Sequence, residues 1–355
     1  MMILEKYNSI SFIGMSKNAG KTTTLNYFID KTRGKYTLGL SSIGRDGETV
    51  DRVTQTEKPR VYIYAGTIVA TSANCYKLSD ATLEIIHVTN INTPLGRIII
   101  ARAVTDGYVE IAGPSTTYDM KKVISIMYEV GADRVFIDGA LSRKSLASPA
   151  VAEAAVLSVG ASFSNDINKL INETVLTYKL LNIEKLENVK VRNQIEALKS
   201  GVTGFSNPES GEVTNMSDSC LAIFDRNCDL VYSECNTIVG KESYIVDKIS
   251  SETKFIYTSG ALTDTFVDSL IKNTGKSCSV SIIVDDGTKL FISNENLIKL
   301  THRKIRLYAI EKINICAITV NPFSTQDYTV DSRLMIAALK RHIDIPVFDV
   351  KGEIM

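Results

Sequence analysis

The segment Gly14-Met15-Ser16-Lys17-Asn18-Ala19-Gly20-Lys21-Thr22-Thr23 constrains this chain more than any other. It stands between a short apolar run, Ile10-Ser11-Phe12-Ile13, and a stretch in which Leu25, Phe28 and Ile29 recur at helical spacing. A strand that hands over to a helix through a small-residue loop leaves the first helical amides without partners, with the positive end of the helix dipole behind them. That corner suits an anion, and the residue types suit a phosphate. Lys17, Asn18, Ala19, Gly20, Lys21, Thr22 and Thr23 are the candidate nucleotide-binding residues. Ala19 and Gly20 are small enough for their amides to curl around phosphate oxygens, Lys21 can reach the β and γ phosphates, and the Thr22 hydroxyl can join a Mg²⁺ shell. The usual spacing G-x-x-x-x-G-K-T would put glycine at Met15, whereas this chain has it one residue earlier, at Gly14. The expectation is a loop that holds Met15 in a less twisted conformation, or a variant of the motif.

The rest of the chain reads as α/β. Leu38 to Ile43 is a second strand, and Val61 to Ala112 is rich in β-prone runs, with Asp106-Gly107 as a hairpin signal between Arg97–Val104 and Tyr108–Ile111. Met120, Val123, Ile124, Met127 and Val130 predict a helix that Gly131 stops. Strands at Val135 to Ile137 and about Ala155 to Ser162, then a helix from about Asp166 to Asn182, continue the alternation. The expected fold class is therefore a mainly parallel sheet covered by helices, with ligands gathered beyond the strand carboxyl ends. Ser200 to Ser219, rich in Ser, Gly, Asn and Glu, reads as a linker and suggests a boundary, with a core at 1–199 and a second α/β region at 200–355. Ile315 to Val320 and Ile345 to Phe348 look like a closing strand, helix and strand, so the last fifty or so residues are expected to complete the first sheet.

A triphosphatase also needs carboxylates to hold the metal shell and orient water. Asp138 ends the apolar run Val135-Phe136-Ile137, which is the Walker B layout, and with Lys21 and Asp46 it makes up the candidate catalytic set. Glu110, in Tyr108-Val109-Glu110-Ile111, is its rival for the metal alongside Thr22, and both carboxylates can serve. Asp46 lies in Ser41-Ser42-Ile43-Gly44-Arg45-Asp46-Gly47-Glu48, where a segment approaching the γ phosphate would sit; an ordinary Asp-Gly turn is the competing reading. No N-K-x-D run is present to read guanine, so adenine is preferred, and Asn321 is the candidate for contacting the base. The 355 residues carry 40 basic and 40 acidic side chains, and this balance disfavours a general nucleic-acid binder. Neither a leader sequence nor a membrane-spanning run is evident, so a soluble cytoplasmic protein is expected. The six cysteines, without C-x-x-C pairs, read as idle or buried thiols.

The runs G-M-S-K-N-A-G-K-T-T-T-L-N-Y, S-S-I-G-R-D-G-E and F-I-D-G-A-L-S-R-K-S-L-A-S-P resemble the smaller ATPase-like subunit of the reactivase for adenosylcobalamin-dependent lysine 5,6-aminomutase, a SIMIBI-like P-loop NTPase. The resemblance is most specific over residues 9 to 150. It implies ATP and Mg²⁺ as ligands, Lys21, Thr22 and Asp138 in the roles given above, a MutS-like second subunit as partner, and ATP-driven exchange of damaged corrinoid on the aminomutase. In related dimeric ATPases a signature lysine reaches across a homodimer five residues before the invariant lysine. Here Ser16 occupies that place and Lys17 stands next to it, so a homodimer with Lys17 reaching across it is one expectation and a solvated loop lysine the other. No D-x-H-x-x-G is present for corrinoid, so the chain would act on a cobalamin enzyme without holding the cofactor. Two alternatives remain open at this point: an ATP-dependent ligase or kinase resembling dethiobiotin synthetase, in which Glu110 would matter, and a nucleotide-binding regulator.

Overall fold

The computed structural model describes residues 2–43, 60–139, 148–200, 220–234, 238–274, 280–324 and 328–352. The chain divides into two compact units, one of residues 1–177 with 314–355, the other of residues 178–313.

The first unit is built on a nine-stranded sheet. In chain order its strands are β1 (Ser9–Gly14), β2 (Leu38–Ser42), β3 (Ile68–Ser72), β4 (Leu83–Thr93), β5 (Gly96–Ala103), β6 (Arg134–Asp138), β7 (Ala154–Gly160), β8 (Ile315–Asn321) and β9 (Val347–Asp349). Their spatial order is β9-β8-β7-β1-β6-β2-β3-β5-β4. Every pairing from β9 to β3 is parallel, and β5 and β4 close one edge as an antiparallel hairpin. Helices that follow these strands include α1 (Lys21–Thr32), α2 (Thr117–Glu129), α3 (Ile167–Leu181) and α4 (Ser332–Leu339).

Two faces of apolar residues explain the layering. Phe12 of β1, Leu40 of β2, Phe136 of β6 and Val156 of β7 join Leu25, Phe28 and Ile29 of α1 in one buried cluster. Val135 and Ile137, the residues flanking Phe136, join Met120, Val123, Ile124 and Met127 of α2 in another. A strand alternates its side chains between faces, so a continuous apolar run such as Val135-Phe136-Ile137 can be satisfied only when helices cover both sides. Phe12, Phe28 and Phe136 meet edge to face at centroid distances of 5.2 to 6.4 Å, which locks α1 onto the central strands. The result is a mixed α/β protein with a large, mainly parallel sheet flanked by helices, and among the described residues no helix is long and apolar enough to cross a membrane.

Two sequence expectations are corrected. Asp106-Gly107 does not turn a hairpin between neighbouring strands, because both edges of β5 are already taken by β3 and β4. The hairpin turns instead at Pro94-Leu95, with Gly96 at φ +99, while Gly107–Val109 pairs antiparallel with Val61–Ile63. The Asp106 carboxylate accepts from the Ala65 amide at 2.8 Å. The expected boundary at 199/200 falls inside the second unit. Glu184–Lys185 pairs with Leu307–Ala309, and Val191, Ile195 and Leu198 are buried in the second unit's core, so residues 178–199 belong to the second unit and not to the first. At the other end β8 is zipped parallel to β7 from Ile315 to Asn321, which puts the carboxyl-terminal residues in the first unit.

The second unit carries a six-stranded sheet in the order Glu184–Lys185, Leu307–Ala309, Ser281–Val284, Thr253–Thr258, Leu221–Asp225, Leu230–Glu234. The first four strands are parallel and the last two antiparallel. Tyr257, within the strand Thr253–Thr258, is wholly buried and donates to Asp285 at 2.7 Å; burial raises its phenol above the ordinary range.

Candidate functional site

The loop at the carboxyl end of β1 is shaped by two left-handed residues, Asn18 at φ +60 and Gly20 at φ +89. Asparagine and glycine tolerate that region best, which explains these types at these places. Met15 has no positive φ, so its backbone does not call for the glycine that the usual spacing would supply. Its amide instead donates to the Ser158 carbonyl at 2.9 Å, extending the β1–β7 pairing one residue past Gly14. Gly20 is the N-cap of α1 and offers no side-chain oxygen to it. Among the described residues the amides of Gly20, Lys21, Thr22 and Thr23 have no backbone acceptor.

Lys21 turns back across the sheet end. Its ammonium lies 2.7 Å from Asp138 Oδ1 and donates to the Gly139 carbonyl at 2.8 Å. The two side chains are 29% and 27% exposed, partly desolvated yet reachable from outside. Asp138 Oδ1 itself is buried and, apart from the ammonium's charge, has no aligned hydrogen-bond donor among the described residues. Gly139 follows Asp138 and donates its amide to the Phe12 carbonyl at 2.8 Å; a Cβ here would stand 2.9 Å from that same oxygen.

The loop rests on a floor that the sequence reasoning missed. Thr24 of α1, Ser158 of β7 and Thr319 of β8 form a closed ring of buried hydroxyls, with oxygen separations of 2.8, 3.0 and 3.1 Å. Three hydroxyls in a ring each donate once and accept once, which satisfies all three without water. The signal was present in the sequence: Val156-Leu157-Ser158-Val159 and Ala317-Ile318-Thr319-Val320 each set one hydroxyl in an apolar run, and these two hydroxyls are register partners. Beyond them, the Asn321 amide donates to the Asn18 carbonyl at 3.2 Å and its Oδ1 accepts from the Phe323 amide at 3.3 Å. Asn321 thus packs on the loop itself, where its Cβ is so close that a methyl on Gly20 would sit 2.9 Å away.

The remaining candidates fall elsewhere. Lys17 is exposed at the loop tip, and its carbonyl accepts from Ser162 at 3.0 Å. Ala19 is buried against the end of β7, and Thr22 and Thr23 are half-buried in the first turn of α1. Glu110 lies alongside β3, where its carbonyl accepts from Thr71 at 3.0 Å and its carboxylate lies 4.0 Å from the Cys75 thiol. The segment that Glu110 opens runs on past β2, where the Ser42 hydroxyl donates to the Ile111 carbonyl at 3.1 Å. The structure brings Lys21 to Asp138 and sets Glu110 beside Thr71 and Cys75. Asp46 lies outside the described residues, as do Cys235 and Cys278. Cys75, Cys220, Cys228 and Cys316 are buried, and burial pushes the Cys316 thiol up to about 12, which makes it a poor nucleophile at neutral pH.

Neither the scan against protein-family models nor the searches of curated proteins and of solved structures find a match to this chain.

The tight seat of the loop makes a prediction. A Cβ on Gly160 would lie 2.7 Å from Ala19 Cα and 3.2 Å from its carbonyl carbon and oxygen, all backbone atoms that cannot swing aside. Gly160→Ala is expected to lower stability by about 1–3 kcal/mol in chemical denaturation. Unchanged stability would mean that the loop is not seated on β7.

Proposed function

We propose that this chain binds ATP with Mg²⁺ at the Gly14–Thr23 loop and hydrolyses it as a P-loop NTPase. The observation that carries the reading is the Lys21 ammonium, held by Asp138 and the Gly139 carbonyl beside helix amides that have no backbone acceptor among the described residues. A lysine tied to a strand-end carboxylate is a cation kept in place by a partner it can exchange for phosphate. Transfer of Lys21 to the β and γ phosphates would release Asp138, whose buried Oδ1 then needs a new cationic partner. A hard divalent ion fits that demand, since a carboxylate and a hydroxyl are the oxygen donors Mg²⁺ takes, and Asp138 and Thr22 are the residues that would hold it. When bound, the metal would neutralise charge developing on the phosphoryl oxygens. Lys21 and the amides of residues 20–23 would position the phosphates and stabilise the same charge, and Asp138 would orient the metal's water shell.

The larger part of the reading, an accessory ATPase that reactivates an adenosylcobalamin-dependent aminomutase together with a MutS-like subunit, rests on the resemblance of residues 9–150. The ligase or kinase alternative depends on Glu110, and that carboxylate's place beside Cys75 lends it no support.

Lys21→Ala is expected to weaken ATP binding in calorimetry by about tenfold or more, since one charge-assisted contact is removed; unaltered affinity would overturn the loop assignment. Asp138→Asn should leave metal-free ATP binding intact, because it frees Lys21, and should weaken binding with Mg²⁺ present. An equal loss in both conditions would shift the metal role to Glu110. For the partner, an immobilised chain loaded with a non-hydrolysable ATP analogue should retain an aminomutase or a MutS-like protein from its own cell, and retaining neither would reject that part of the reading.

A further inference from the structure

The second unit has a cleft of about 490 Å³ that the proposed ATP site does not use. Among the described residues lining it, Arg226, Lys254, Lys304 and Arg306 are basic and none is acidic. In a chain whose charges balance at 40 and 40, four cations without an acid between them are a local departure. The sheet register creates it. Asp225 pairs with Thr253, Phe255 with Ser281, and Ile282 with Leu307, so the amino ends of three parallel strands and the carboxyl end of an antiparallel neighbour come out side by side. Lys254 lies one residue into its strand, and Arg226 and Arg306 lie just beyond theirs. With strands about 4.8 Å apart, the cations span roughly 14 Å of sheet edge.

The cations are weakly compensated. Arg226 is anchored by donating to the Ser251 carbonyl at 2.9 Å, and its contact with Glu252 is a loose 3.7 Å between exposed groups. The Tyr308 phenol and, at longer range, the Glu184 carboxylate hold the Arg306 guanidinium above its ordinary pKa. Lys254 has the Cys228 sulfur at 3.5 Å. The rings of Phe255 and Tyr308 meet edge to face at 6.4 Å and stiffen the apolar part of the wall.

Lys304 supplies an independent sign. It sits just past the helix Asn294–His302 at φ +59, the left-handed place where helices ordinarily end in glycine or asparagine. A side chain held there against its backbone preference lines the cleft, and an outlier of this kind is grounds for a functional hypothesis.

We propose that this cleft is a binding site for a small phosphate ester bearing at least two negative charges, such as a diphosphate. Two planar guanidiniums match phosphoryl oxygens in pairs, and two ammoniums add charge without fixing geometry. The volume lies within the range of small-ligand sites.

Inorganic pyrophosphate is the probe, titrated by calorimetry into the full chain carrying Lys21→Ala so that the amino-terminal loop does not contribute. Binding is expected to persist there, to weaken by about tenfold or more on adding Arg226→Ala with Arg306→Ala, and to fall steeply with salt. Lys304→Gly separates binding from folding: it should keep or raise the melting temperature, because glycine accepts the left-handed backbone, while weakening pyrophosphate severalfold. Absence of binding in the Lys21→Ala chain, or affinity untouched by these substitutions, would overturn the proposal. So would a single-stranded oligothymidylate that binds more tightly than pyrophosphate.

Discussion

The contact between the Lys21 ammonium and the end of β6 is the interaction on which the architecture of the first unit converges. An ammonium 2.7 Å from a carboxylate and 2.8 Å from a carbonyl needs both acceptors presented from one strand end and the lysine presented from the first turn of a helix. That requires β1 and β6 to be parallel neighbours, so that both finish at the same edge, and α1 to start immediately after β1. Parallel order in turn demands long crossovers, which is why α2 precedes β6 and lies on the opposite face from α1.

Beneath that contact the loop is held from the far side by residues remote in the chain. The hydroxyl ring joins Thr24 to Ser158 and Thr319, and Asn321 clamps the Asn18 carbonyl. Buried hydroxyls have to find partners, so the ring ties the carboxyl-terminal strand to the amino-terminal helix more specifically than apolar packing does. In the proposed reading this keeps the loop amides in a fixed array while Lys21 exchanges its partners, and rigidity of that kind is what binding through backbone donors requires. The second unit uses its sheet differently, setting cations along one edge, at the amino ends of parallel strands and the carboxyl end of an antiparallel neighbour.

Much of this was legible in residue order. A glycine-bearing loop between an apolar run and a helical period predicts strand, loop and helix, and β1, the loop and α1 occur there. Val135-Phe136-Ile137-Asp138 reads as a buried strand ending in an acid, and β6 has that form. The hairpin at Asp106-Gly107 was misread because turn propensity is local, whereas the free edge a hairpin needs is decided by which other strands have already paired. The boundary near residue 200 was misplaced for a related reason. Composition marks a polar stretch, but Val191, Ile195 and Leu198 are assigned to a unit by the core they enter. Glu110 and Asp138 look equivalent as strand-end acids; only tertiary contacts distinguish them, Lys21 for Asp138 and Cys75 for Glu110.

By itself the sequence determined the local elements: the loop and its lysine, the apolar runs that need two covered faces, and the acid that terminates one of them. These depend on neighbours a few residues apart, through periodicity, turn chemistry and helix-end electrostatics. Which acid meets Lys21, what supports the loop, and which four cations share a cleft depend on contacts across tens to hundreds of residues, such as the 295 that separate Thr24 from Thr319. Strand order and register decide those contacts, and both follow from how the whole set of apolar faces is buried at once.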